Sequence, residues 1–167
     1  MAIQDGYDAE LPNLKLELTH RYGKIWTVHR LDKMTSGVIL FAKNESAHRD
    51  LTEQFSQHSI SKHYQAVVHG LPVWERKFVR IPFKINGDRM HRTVRDPRYG
   101  KPAITTFKVI EKFERITFLD VFPQTGLTHQ IRAHASILGF PIVGDTLYWH
   151  CDKRSTSMFM HIHILMG

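Results

Sequence analysis

The sequence predicts an α+β fold, a long, mainly antiparallel mixed β-sheet flanked by helices and loops, on three observations. Stretches such as Lys62 to His69 and Arg115 to Phe122 place apolar residues on one face at period two, as strands do. An Asn86-Gly87 pair, whose residues adopt positive φ at little cost, marks a hairpin. Two other segments repeat apolar residues every three to four positions, the mark of helices with one buried stripe.

In order along the chain, residues 1–25 are weakly patterned: Pro12 breaks any long element, and Leu14, Leu16 and Leu18 alternate as in a short strand. The apolar run Val38-Ile39-Leu40-Phe41-Ala42 reads as a buried strand. Asn44 is placed to cap a helix reaching about Gln57, with Ala47, Leu51 and Phe55 recurring every four residues. In the strand from Lys62 to His69, Tyr64, Ala66 and Val68 share one face, and His63, Gln65 and Val67 the other. Val79 to Val94 forms the hairpin, with Lys84 before the turn and Arg89, His91, Arg92 and Arg95 after it.

Ile104 to Lys112 and Arg115 to Phe122 are strands joined by a tight turn near Glu114, and Asp120 falls among Ile116, Phe118 and Phe122 on one face. That acid is expected to bond backbone or a basic neighbour. Thr128 is expected to cap a helix to Leu138, with Ile131, Ala135 and Leu138 buried and Gly139 ending it in the left-handed conformation. His129 and Arg132 lie one turn apart near its start. Pro141 to Tyr148 reads as a loop and short strand, and Met158 to Leu165 as a final strand.

The 167 residues make one domain, 1–167, enough to bury roughly two thirds of the unfolded surface without disulfides. Lysines and arginines number 23 against 16 acids, a formal charge of +7, so a polyanion such as nucleic acid is the natural partner. The one cysteine, Cys151, has no partner for a bridge, which fits a reducing compartment. Neither His150 and Asp152 beside it nor His161-x-His163 has ligand spacing with a third donor, so no metal is expected. No apolar run approaches the ~20 residues of a membrane span. Asp5, Asp8 and Glu10 do not suit a signal peptide. A soluble, cytoplasmic monomer is expected.

Two polar stretches carry the chemistry. In His29-Arg30-Leu31-Asp32-Lys33-Met34-Thr35-Ser36-Gly37 a carboxylate stands between a His-Arg pair and a turn, just ahead of the apolar run. Read alone, this is a turn as readily as a site. A hundred residues on, Gln124-Thr125-Gly126-Leu127-Thr128-His129-Gln130-Ile131-Arg132-Ala133-His134 supplies the cation that a carboxylate in a pocket needs.

Together these stretches resemble the signatures of RluA-type RNA pseudouridine synthases, an HRLDxxTSG loop and an RTGRTHQIRxH segment. The likeness continues in family order through Lys62-x-Tyr64-x-Ala66-x-Val68, Gly100-Lys101-Pro102-Ala103-x-Thr105-x-Phe107 and Pro141-Ile142-Val143-Gly144-Asp145-x-Leu147-Tyr148. The resemblance implies the pseudouridine synthase catalytic fold and isomerisation of specific uridines in structured RNA, ribosomal or transfer, without cofactor.

It also implies roles. Asp32 is the essential carboxylate, acting at the sugar C1′ or by another covalent or acylal route. Arg132 is expected to pair with Asp32 bidentately and keep it charged and aimed. Tyr64 offers a ring on which uracil stacks and a phenol that shares in removing the C5 proton. The base must be flipped out of its helix to be reached. His29 and Arg30 would lie at the mouth, Arg30 filling the gap left by the flipped nucleotide. Lys62 holds its strand or touches phosphate, and Thr128 and His129 line the cleft. Apart from the resemblance, the basic residues of the hairpin suit phosphate, so Arg89 and Arg92 are expected to meet it.

The chain departs from the family pattern at Leu127 and Gln124, where cations usually stand, and upstream of Asp32, where the usual Asn-Lys-Pro-x-Gly segment has no match. Either the chain is trimmed at its N-terminus, and at its C-terminus as well, or the pocket is completed differently. Two alternatives follow: an RNA-binding relic without turnover, or a hydrolase using Asp32 with His29 or Asp120.

Overall fold

A computed structural model describes residues 13–57, 59–149 and 158–165, within which three helices and nine strands follow one another. They are α1 (Leu14–Tyr22), β1 (Trp26–Thr27), β2 (Ser36–Gly37), β3 (Phe41–Ala42), α2 (Glu45–Ser56) and β4 (Ser61–His69). After these come β5 (Arg76–Lys84), β6 (Val94–Arg95), β7 (Lys101–Lys112), β8 (Ile116–Pro123), α3 (Gln130–Ile137) and β9 (Met160–Leu165). Seven strands form one sheet in the order β2-β9-β4-β8-β7-β5-β6, while β1 and β3 pair apart from it. All its pairings are antiparallel except β2 with β9, so the sheet is mixed and mainly antiparallel.

Register decides which side chains reach the site. Tyr64 opposes Val121 on β8 and Ile162 on β9, and Ala66 opposes Leu119 and Met160. This face carries the core, in which Ala66, Val68, Phe107, Leu119 and Val121 pack against Ile131 and Ala135 of α3. The opposite face carries His63, stacked on Phe122 at 4.8 Å and bonded to Asp120 at 2.6 Å. Asp120 thus takes a basic partner, as its sequence neighbourhood led one to expect.

Four expectations are corrected. Leu14 to Leu18 is helical: the Asn13 side chain accepts from Leu16 N–H, and Glu17 and the His20-Arg21 pair suit the two ends of the helix dipole. Leucine alternation is compatible with either element, and the local cap decides. The run 38–42 is a strand only at Phe41–Ala42, and of it only Ala42 is buried. Its donors go elsewhere, Val38 N–H to Ile162 O and Leu40 N–H to the His29 ring.

At α3 the cap residue is His129, in the left-handed conformation at φ 55° and with no side-chain cap bond, so Thr128 does not cap the helix. The hairpin is real but not tight: Lys84 opposes Val94, leaving residues 85–93 as an arm rather than a two-residue turn. Asn86 takes φ 52° within it. Asp88 organises this arm, accepting from Met90 N–H, Arg92 N–H and Arg92 Nε. Residues Pro12, His150, Cys151 and Asp152 lie outside the described ones. Among the described residues no helix is long and apolar enough to cross a membrane, and no group of three His, Cys, Asp or Glu could hold a metal.

Candidate active site

A cleft of about 690 Å³ opens on the core face between the Asp32 segment, β4, and the start of α3. Of the residues singled out from the sequence it brings together Asp32, Tyr64, Arg132, His29, Arg30 and Lys62, with Thr128 and His129 on the α3 side. Arg89 and Arg92 are not on its wall. Asp120 is not there either, because period two turns it to the far face when Val121 faces the core.

Arg132 is buried, its side chain 7 % exposed. Its bidentate partner is Asp145, not Asp32: Nε donates to Oδ2 and Nη2 to Oδ1, both at 2.8 Å. Only Nη1 remains for Asp32, at 3.5 Å from Oδ2. The expected fork on Asp32 is therefore corrected to a fork on a fully buried second acid, with one N–H turned into the cleft. Burial opposes the guanidinium's charge, but the bonds and charge of Asp145, with the charge of Asp32, outweigh it and raise its pKa. Asp145 Oδ1 also accepts from Leu147 and Tyr148 N–H, which fix the carboxylate in place.

His129 brings Nε2 to 3.8 Å from the same Asp32 oxygen. Burial lowers its pKa, and the Asp32 charge only partly offsets this, so the ring is largely neutral near pH 7. His29 is also lowered by burial; its Nε2 accepts Leu40 N–H at 3.0 Å and its ring stacks on Phe55 at 4.8 Å. It fastens the Asp32 segment to α2 and has no nitrogen lone pair left to act as a base beside Asp32. The hydrolase alternative thus loses both of its proposed partners.

Tyr64 is half-buried, and burial first, then the Asp32 charge, push its pKa up to about 12. Near neutrality it is a phenol. Lys62, lowered by burial, stands beside it as a second cation of the cleft, its amine next to Gly126, where an added Cβ would lie 3.1 Å from Nζ. Leu127, in place of the family cation, packs towards Phe83, Ala103 and Ala133. Gln130 anchors this loop: its amide donates to Ile104 O and Thr105 Oγ1 and accepts from Thr125 Oγ1 and Leu127 N–H.

The sequence profile described as RNA pseudouridylate synthase matches residues 4–136. The chain belongs to that family. Within it the chain is of the RluA type. It is 34 % identical over 158 residues to the dual-specificity RNA pseudouridine synthase RluA of Haemophilus influenzae, covering 94 % of this chain and 70 % of that one. It is 40 % identical over 142 residues to an uncharacterised RNA pseudouridine synthase of Zymomonas mobilis, covering 83 % of this chain and 64 % of the relative. Against the ribosomal large subunit pseudouridine synthase C of Vibrio cholerae the identity is 42 % over 127 residues, 76 % of this chain but 39 % of that protein. The chain thus spans between about two fifths and seven tenths of the length of these relatives.

A solved structure of human RNA pseudouridylate synthase domain containing 1 superposes with a TM-score of 0.83 at 27 % identity, covering 92 % of this chain and 69 % of that one. The family fold expected from the motifs is the fold observed.

Two residues of the site went unread in the sequence, Asp145 and Tyr148, although both stand in a quoted motif. An acid directly after the buried Pro141-Ile142 and Gly144 had to find a partner, since a lone buried charge is costly. That was the available signal.

Proposed function

We propose that the chain isomerises specific uridines of structured RNA to pseudouridine, with Asp32 as the reacting carboxylate. The observation that carries this reading is the meeting of Asp32, Arg132 and Tyr64 in one cleft, with Arg132 Nη1 3.5 Å from Asp32. The reaction breaks the bond between C1′ and N1, turns the detached uracil, joins C1′ to C5 and moves the C5 proton to N1. It consumes no oxidant, metal or nucleotide. The protein must therefore offer a carboxylate for C1′, a route for the proton and a closed pocket for the loose base.

Asp32 reacts at C1′ directly or through an acylal, and Arg132 stabilises its charge from the α3 side, where the His129 ring lies 3.8 Å from the same oxygen. The uridine is flipped into the cleft and stacks on the Tyr64 ring. As a phenol, Tyr64 takes the C5 proton only by releasing its own in the same step, to the Asp32 carboxylate once that is freed from the substrate, and Asp32 then passes the proton on to N1. Arg30, exposed at the rim, fills the place of the flipped base. Arg89 on the arm meets phosphate, while Arg92 is spoken for by Asp88 at 2.6 Å and contributes less. The substrate is a ribosomal or transfer RNA of the cytoplasm, met by a single catalytic domain.

Incubation with total bacterial RNA, digestion to nucleosides and quantitation of pseudouridine tests this. The chain should raise pseudouridine and Asp32→Asn should not, although it binds RNA equally. Equal isomer from both proteins would remove Asp32 from the chemistry; RNA binding without isomer from either would favour the relic.

A further inference from the structure

Tyr148 stands where the arm, the α3 loop and the buried ion pair meet. Its phenolic oxygen accepts the backbone N–H of Thr93 at 2.7 Å. Thr93 is 2 % exposed, closes the arm at the step before β6, and sends its hydroxyl to Thr128 O at 2.7 Å. On the cleft side the Arg132 guanidinium lies 5.2 Å from the Tyr148 ring centroid. The His129 ring meets Tyr148 edge-on at 5.8 Å, its Nδ1 3.4 Å from the phenolic oxygen. Tyr148 N–H in turn bonds Asp145, the partner of Arg132.

The arm is stiff enough to convey a displacement. Asp88 gathers Met90, Arg92 N–H and Arg92 Nε onto one carboxylate, and Gly87 N–H bonds Arg92 O at 2.8 Å. A push at Arg89 thus reaches Thr93 with few free torsions between. From Thr93 the links lead inward by two routes, its N–H and carbonyl to the phenol beneath Arg132, the latter at 3.4 Å, and its hydroxyl to the carbonyl just before His129.

We propose that Tyr148 is a positioning residue that ties the basic arm to Arg132 and His129, so that seating the arm on RNA fixes both groups beside Asp32. This rests on the reading of the cleft and arm given above. Arg132 is already held by Asp145; what Tyr148 adds is the setting of its free Nη1 and of the His129 ring according to whether the arm is occupied.

The test is a double-mutant cycle on RNA binding and single-turnover isomerisation at saturating RNA. Tyr148→Phe keeps the ring under Arg132 and removes the acceptor for Thr93. It should slow the single turnover about tenfold, the worth of one such hydrogen bond, and leave the RNA dissociation constant within about twofold. Arg89→Ala should weaken binding and slow turnover in the native chain, but only weaken binding when added to Tyr148→Phe. Rate losses that simply multiply, or a native rate for Tyr148→Phe, would overturn the proposal. Thr93→Val, which cuts the other bond, should behave as Tyr148→Phe does and keeps the test open should that variant fail to fold.

A readout free of turnover separates this from the functional reading. The Arg132 Nε–H resonance should move on adding RNA to the native chain and stay still in Tyr148→Phe. If it moves so but no isomer forms, the synthase reading fails and the link stands. If isomer forms while the resonance answers RNA equally in both proteins, the link fails and the synthase reading stands.

Discussion

On the α3 wall of the cleft Arg132 gives two N–H groups to Asp145 at 2.8 Å, and Gln130 uses both ends of its amide on four partners. On the facing wall Asp32 rides a segment whose strands are two residues each, held by Thr35 N–H to Asp32 O, Leu40 N–H to His29, and Val38 N–H to Ile162 O. Arg132 meets this wall across a single 3.5 Å contact. The difference shows a division of labour. The cation is placed without help from Asp32, so the carboxylate need not spend its oxygens on holding structure and keeps them open to the cleft, as the role proposed for it at the sugar requires.

The largest expected effect sets the two carboxylates around one guanidinium against each other. Asp145→Asn leaves a buried charge without its close partner and should cost about 3 to 5 kcal/mol in urea unfolding. Asp32→Asn, at the single longer contact, should cost about 1 kcal/mol or less while abolishing the isomer. Equal costs would mean that the walls are not unequal in the way described.

The fixed wall also carries an acid weakness. His134 is fully buried on α3, bonded through Nδ1 to Thr105, and burial lowers its pKa to about 4 from 6.5. Between those values the unfolded chain binds a proton there and the folded chain does not. Stability is therefore fully present above about pH 6.5 and falls as the pH drops towards 4, by up to about 3 kcal/mol in all. Unfolding curves at pH 7 and 4.5 should show this loss in the native chain and less of it in His134→Asn; equal losses would acquit His134.

On the lightly held wall the sensitive point is Gly37. It sits at φ +120°, and a Cβ there would lie 2.3 Å from Ile162 O on the neighbouring strand β9. Gly37→Ala should part β2 from β9 at a cost of about 2 kcal/mol, with a loss of isomer out of proportion to that cost. A variant with native turnover would show that the Asp32 segment does not depend on this pairing.

The smallest effect lies outside both walls, on the arm. Arg89→Ala should flatten the dependence of RNA affinity on salt by about 0.7 log unit, the value of one contact to a single strand. Arg92→Ala should flatten it less, because Asp88 already holds that guanidinium. The reverse order would move the RNA contact from Arg89 to Arg92.

What the sequence disclosed and what it withheld divide along the same physical line. Helix α2, with its Asn44 cap, and strands β4 and β8 were readable because caps and periodicity act within a few residues. That Asp32, Tyr64 and Arg132 share one cleft was readable from ordered motifs. The partner of Arg132 was not: the choice of Asp145 over Asp32 depends on how a loop 13 residues away folds back, which no local pattern encodes. The run 38–42 misled for a related reason, since hydrophobicity cannot tell whether backbone donors will meet a strand or a histidine ring. Arg92 could have been foreseen, as Asp88 stands four residues before it.

The most direct measurement of the central claim is tritium release from RNA labelled at uridine C5, with Asp32→Ala as the control. The account predicts release by the native chain and none by the variant, both binding RNA with the same salt dependence. Release by both, or salt-sensitive binding with release by neither, would contradict it.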